Sequence, residues 1–180
     1  MAKSEKPAKT ESRRNDKLAT PTDLDPAAVE KIAVALNGCL ADSLVSYMKI
    51  KNFHWHMSGP NFRDYHEMLD DHAAAVFGTI DELAERVRKI GARTLTSYAQ
   101  ALEETQLAEQ PRSNLTPDEM IRELMADNKA MVAGMRKAHK VCDDGEDVAS
   151  ASVLENYIDA TEKRTWFLYE IAQGATATGH

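Results

Sequence analysis

Only two cysteines occur in the 180 residues, Cys39 and Cys142. Two thiols without a CxxC spacing exclude a disulfide framework and a cysteine-built zinc site, and they suit a reducing compartment. Eight Gly and six Pro are too few for collagen-like or loop-dominated chains. No apolar run reaches the roughly 18 residues of a membrane span. The opening residues, Met1 to Pro7, lack the apolar stretch of a secretory signal, so the expected address is the cytoplasm. What is present is a composition of 43% hydrophobic and 28% charged residues, enough for one domain with a proper core and too little for two.

Charge is divided unevenly. The formal net charge is −7, yet residues 1 to 20 carry six basic side chains (Lys3, Lys6, Lys9, Arg13, Arg14, Lys17) against three acidic ones. The remaining 160 residues hold 16 basic and 26 acidic side chains. A basic arm on an acidic body points to an anionic polymer as partner. With Leu18 as its one large apolar residue, the arm cannot bury itself and is expected to be disordered alone.

From Asp25-Pro26 onward the body reads as helix. Asp25 is an N-cap followed by Pro at the first helical position. Val29, Ile32, Leu36, Leu40, Leu44 and Tyr47 recur at three and four, to about Met57. Ser58-Gly59-Pro60-Asn61 breaks that run. A second stripe, from Tyr65 through Leu69, His72, Val76, Ile80, Leu83 and Val87 to Ile90, stops at Gly91. Residues 92 to 115 lose the periodicity, apart from a short helical stretch between Thr96 and Thr105. Thr116-Pro117-Asp118-Glu119 is a capping box that opens a third stripe ending at Cys142. After an acidic turn at 143 to 147, a fourth runs from Ala151 to Ala172, with Gly174 as its stop. Met120, Met125, Met131 and Met135 fall where a core needs filling. No strand-like alternation appears. The expectation is all-α: a four-helix bundle with one long crossover carrying a short extra helix, which is the ferritin-like arrangement. Residues 1–24 form the arm, 25–174 the bundle and 175–180 a short tail.

Four of six histidines, His54, His56, His66 and His72, fall within nineteen residues. Mixed imidazole and carboxylate donors suit iron, manganese or zinc. On the second helix His66 and Asp70 share a face, as do Asp81 and Glu85. Eleven residues from Asp70 to Asp81 span about 16 Å at about 1.5 Å per residue, too far for one ion within one chain. Both pairings, 66 with 85 and 70 with 81, are centred between Ala75 and Val76. Two copies crossing antiparallel about that point bring His66 and Asp70 of one chain to Glu85 and Asp81 of the other, twice per dimer. Ala73, Ala74, Ala75 and Gly78 allow close approach there. No His has Glu three residues before it, so the usual intrachain di-iron pattern is lacking. Other readings are a DNA-compacting protein with a vestigial metal site, or a metal-free scaffold in which Asp81 and Glu85 simply pair with Arg88 or Lys89.

The run His54-Trp55-x-Met57-x-Gly59-x-Asn61-Phe62, then His66-Glu67-Met68-Leu69-Asp70, then Asp81-x-x-x-Glu85-Arg86, resembles the signature of the Dps family, the DNA-binding mini-ferritins of starved cells. The resemblance spans about residues 25 to 173. It implies a hollow homododecamer of 23 symmetry, built from antiparallel two-fold dimers, that oxidises Fe(II) and stores ferric oxide. Hydrogen peroxide is the oxidant that such proteins generally prefer. It implies a ferroxidase site of His54, His66 and Asp70 from one subunit with Asp81 and Glu85 from its mate, Trp55 beside it, and no organic cofactor. His56 and His72 are not signature ligands, and His72 is expected in the core. Further implications are a cation-drawing three-fold pore at Asp143, Asp144, Glu146 and Asp147, and non-specific binding of double-stranded DNA through the six basic arm residues. The setting is a stress-response, nucleoid-associated protein that condenses DNA.

Overall fold

The computed structural model describes residues 18–173. Among them are five helices and no strand: α1 Pro26–His56, α2 Phe62–Lys89, α3 Tyr98–Glu104, α4 Pro117–Asp144 and α5 Val148–Ala172. Helix starts follow the local chemistry. Asp25 accepts the Ala28 N–H at 3.0 Å ahead of Pro26. The Thr116 amide donates to Glu119 at 2.7 Å, and Thr116 Oγ1 accepts the Glu119 N–H at 3.3 Å, closing the reciprocal box at the head of α4. Gly91, at φ +85°, ends α2 where a side chain would be strained and would press on the Thr20 carbonyl.

α1 with α2, and α4 with α5, are antiparallel hairpins, and α1 also packs along α4. The crossover from 90 to 116 runs beside α1, and polar residues of α1 meet its backbone in order. Asn37 donates to the Arg93 carbonyl at 3.0 Å. Asp42 accepts from Thr105 Oγ1 at 2.7 Å and the Gln106 N–H at 2.9 Å. Asn52 donates to the Gln110 carbonyl at 2.8 Å. A long covered loop otherwise leaves backbone groups unmet. Beneath it, buried Lys49 pairs with Glu123 at 3.0 Å and Asp127 at 2.6 Å. Burial pushes the Asp127 carboxyl above its usual range, and the Lys49 ammonium opposes that shift.

The apolar interior forms two clusters. One holds Ile32, Leu36, Leu40, Leu83, Val87, Met131 and Leu154. The other holds Ile50, Phe53, Leu69, Val76, Ile121 and Leu168. Met120, Met131 and Met135 are buried and Met125 packs on the second cluster, as expected of filling residues. Cys39 and Cys142 are buried unbonded thiols, both pushed up to about 12, first by burial.

Several boundaries differ from the sequence reading. α2 begins at Phe62, directly after the Ser58–Asn61 break and three residues before the first residue of its apolar stripe, Tyr65. α4 continues through Asp143 and Asp144, so the turn narrows to Gly145–Asp147, with Glu146 at φ +60°. Ala73 is 2% exposed within its own core and cannot line a crossing, whereas Ala74, Ala75 and Gly78 remain exposed. Gly174 lies outside the described residues. Within the segment assigned to the arm, the Leu18 carbonyl accepts from Arg88 at 2.5 Å and Leu24 packs against the core.

Candidate metal centre

The α1–α2 hairpin brings together two histidines twelve residues apart. His54 sits in the last turn of α1 and His66 in the second turn of α2. His54 Nδ1 is 2.9 Å from the His66 carbonyl, and His66 Nδ1 is 2.9 Å from the His54 carbonyl. A carbonyl only accepts, so each Nδ1 carries the proton. In the neutral rings both Nε2 atoms then keep a lone pair for a cation. The rings stack at 3.7 Å between centroids and 20° between planes. Phe62 tilts against His66 at 5.0 Å.

Asp70 lies one turn beyond His66, its Oδ1 4.0 Å from His54 Nε2. The same oxygen is 2.8 Å from Lys51 Nζ. Hydrogen bonding and then charge from Lys51 hold the Asp70 carboxyl below the usual range, with smaller contributions from His54 and His66. Lys51 also stands 6.0 Å over the Trp55 ring, and Trp55 is 57% exposed. Lys51 was not singled out from sequence, although three residues before His54 on a helix is a neighbouring position. It is a cation already seated on a carboxylate expected from sequence to ligate metal. Replacing it, Lys51→Met, is expected to tighten Fe(II) binding by no more than about fivefold, since the pair is solvent-facing; titration with oxidant excluded measures this.

Asp81 and Glu85 are exposed further along α2, and Glu85 pairs with Lys89 at 3.2 Å. Asp70, Ala74, Phe77, Gly78, Asp81 and Glu85 are all exposed on that helix, and a Cβ at Gly78 would meet nothing within 4 Å. Among the described residues, no group of three His, Cys, Asp or Glu side chains within the chain is set to hold a metal ion. The structure stacks His54 on His66 and sets Asp70 beside His54, while Asp81 and Glu85 lie further along α2. His56 is tied to the Asn52 carbonyl at 2.8 Å. His72 is buried and pushed down to about 4, first by burial and then by the Arg164 charge.

Of the four acids near the α4–α5 turn, Asp143, Asp144 and Glu146 are exposed, with Asp144 held by Lys140 at 2.8 Å. Asp147 differs. It is 3% exposed, caps α5 through the Ser150 N–H at 3.0 Å and pairs with Arg86 at 2.8 Å. An aspartate so engaged is structural, and it is not available to line a pore. Lys3, Lys6, Lys9, Arg13, Arg14 and Lys17 lie outside the described residues.

Residues 33–176 match the family model described as a ferritin-like domain. A DNA protection during starvation protein of Brevibacillus brevis is 35% identical over 137 residues, covering 76% of this chain and 91% of that protein. The chain belongs to the Dps family. A crystal structure of a Dps protein from Bacillus brevis superimposes with a TM-score of 0.79 at 32% identity, over 82% of this chain and 99% of that one. Dps from Thermosynechococcus elongatus gives 0.80 at 27% identity, over 85% and 98%. A Dps protein from Vibrio cholerae, whose description places it in a broad superfamily of ferritin-like diiron-carboxylate proteins, gives 0.79 at 27%, over 84% and 96%. The likeness therefore spans nearly the whole of each of these Dps structures.

Proposed function

We propose that this Dps-family chain is an iron-storing, DNA-protecting ferroxidase, and that its sites are shared between antiparallel subunits. The observation that carries the reading is the reciprocal pair of Nδ1–carbonyl contacts, which aims two imidazole Nε2 lone pairs at the space beside Asp70. Half a coordination sphere is thereby prepared on one chain. Asp81 and Glu85 of a two-fold mate supply the other half, across the exposed Ala74–Gly78 face.

The carboxylates offset the charge that grows as Fe(II) becomes Fe(III), while the imidazoles retain iron before oxidation. With hydrogen peroxide as oxidant, one electron comes from each of two Fe(II) ions. The O–O bond breaks and two hydroxides form, so no hydroxyl radical is released. Trp55, next in sequence to His54, is assigned as a short-range electron donor. Ferric product hydrolyses and is stored inside a dodecamer. Asp143, Asp144 and Glu146 line the proposed entry for cations.

DNA binding is assigned to the arm, with Lys3, Lys6, Lys9, Arg13, Arg14 and Lys17 on phosphates. Such contacts carry no sequence information and weaken steeply with salt. Twelve arms on one particle act together, which lets weak contacts hold. The proposed location is the cytoplasm, at the nucleoid. No described helix is long and apolar enough to cross a membrane.

Ferric absorbance after adding peroxide to anaerobic Fe(II)-loaded protein tests the oxidation. Growth faster than in protein-free buffer, and faster than with dioxygen, is expected; the same rate as buffer rejects the reading. Particle mass tests the cage, with about 240 kDa expected of twelve 20.0 kDa chains. For DNA, deletion of residues 1 to 20 is expected to abolish the gel shift at low salt, and an undiminished shift rejects the arm's role.

A further inference from the structure

α4 sorts its charges by sign. Between Met120 and Cys142 its exposed charged residues are Arg122, Lys129, Arg136, Lys137 and Lys140, all of them basic. The acids of the same stretch, Glu123 and Asp127, turn inward to buried Lys49. Exposed Ala126 and Ala133 separate the cations, and steps of three and four residues put the whole row on one face of the helix. From Arg122 to Lys140 that face is about 27 Å long, at about 1.5 Å per residue.

Acids stand at the edges of this row. Arg122 pairs with Asp118 at 2.8 Å and Lys140 with Asp144 at 2.8 Å, at its two ends. Arg136 pairs with Glu162 of α5, and His139 lies 3.0 Å from Glu155. Lys129 and Lys137 have no carboxylate partner among the described residues. Exposed ion pairs contribute little, so the paired cations can exchange a carboxylate for another anion. α4 packs on α1 and α5 and not on α2. It therefore stands diagonally opposite the helix whose exposed face is proposed for the two-fold, and that pairing leaves the row uncovered. Lys140 is at the end of the bundle where the arm leaves. There a Cβ at Gly145 would meet Ile32 and Ala28 near the start of α1, and Arg88 near the end of α2 holds the Leu18 carbonyl.

We propose that the exposed face of α4 is a second phosphate-contact surface for duplex DNA, with Lys129 and Lys137 at its centre and Arg122, Arg136 and Lys140 trading their carboxylates for phosphates. The inference rests on the DNA binding proposed above and extends it from the arm to the folded body. A duplex strand carries one phosphate per about 3.4 Å of axis, so a face of about 27 Å lies against several of them. With acids along its edges the row is too weak to capture DNA by itself. The arm, rooted at the same end, makes the first contact and raises the local concentration of DNA at the row. Fluorescence anisotropy of a labelled duplex, titrated over a salt series with assembled full-length protein, tests this. Lys129→Gln with Lys137→Gln is expected to weaken binding about tenfold or more at fixed salt and to lower the slope of log K against log salt by about two, one for each lost phosphate contact. Lys129→Arg with Lys137→Arg is expected to bind as wild type does. Arg63→Gln with Lys163→Gln removes the same charge from α2 and α5 and is expected to leave the slope unchanged. An unchanged slope in the α4 glutamine variant overturns the proposal. So does an equal fall in the α2 and α5 variant, which marks a general charge effect. Deletion of residues 1 to 20 separates the two readings. If the deletion abolishes binding and the α4 variant binds normally, the α4 surface is wrong and the arm stands; if the deletion binds normally and the α4 variant does not, the arm is wrong and the surface stands. Wild-type particles that bind no DNA overturn both.

Discussion

Co-expressing His54→Ala and Asp81→Ala chains in equal amounts restores about a quarter of the wild-type rate of Fe(II) oxidation, because random pairing makes half the two-fold dimers mixed and each mixed dimer has one intact site of two. Each variant alone falls by more than about tenfold, since even loss of an outer partner of a metal ligand costs that much. The recovery follows from the placement of the ligands. On the proposed shared site His54 and Asp81 belong to opposite halves of the sphere, so one site of the mixed dimer collects both lesions and the other collects none. Were all five ligands to act within one chain, mixing would recover nothing. Stopped-flow ferric absorbance on the co-expressed particles, against the two single variants, distinguishes the cases. No recovery in correctly assembled particles defeats the shared site.

Lys49→Met is expected to destabilise the subunit by about 3 kcal/mol at neutral pH, the cost of removing one partner from a buried ion pair. That corresponds to a fall in Tm of about 6–12 °C for a chain of this size. Lys49 is 3% exposed between Glu123 and Asp127, and its loss leaves two carboxylates side by side beneath the crossover. The pH dependence has a defined sign. Asp127 in the folded chain already holds its proton above the ordinary value of 3.8, because burial outweighs Lys49. Without Lys49 that rise is larger. A carboxyl whose folded value is raised costs stability as pH climbs through it and costs none once both states are protonated. The deficit of Lys49→Met against wild type therefore narrows from pH 7 to pH 5 in thermal unfolding. A deficit that is small, or indifferent to pH, contradicts the buried pair.

Much of the architecture was legible because each helix announces both its face and its ends. Ile32, Leu36 and Leu40 repeat at helical spacing, Thr116 and Glu119 close a box, and Gly91 marks a stop. Asp81 and Glu85 lie on one helix with Asp70, so their spacing needed only the rise per residue. His54 was different. It comes from another helix and reaches His66 only when the hairpin closes, so periodicity gave no sign of it and the family signature did. Lys49 and Lys51 were missed because charged positions on a helix read as solvated. The crossover covers one, and a carboxylate of the next helix engages the other. Ala73 was misplaced at the crossing since a small residue serves a core and an interface equally well. Asp147 looked like its acidic neighbours until its oxygens were found on Ser150 and Arg86. Arg164 was passed over because nothing local in the sequence marks an inward guanidinium, although it is buried on α5.

The hand-clasp of the two imidazoles has a consequence for timing. Each ring is fastened to the backbone of the helix opposite, so the histidines take their posture as soon as the hairpin closes, before any second polypeptide arrives. A newly made monomer thus carries poised nitrogen donors but lacks the remaining acids. On the proposed reading it cannot turn over iron until it has docked. Quaternary assembly then works as a safety interlock, and rust forms only where there is a shell to contain it.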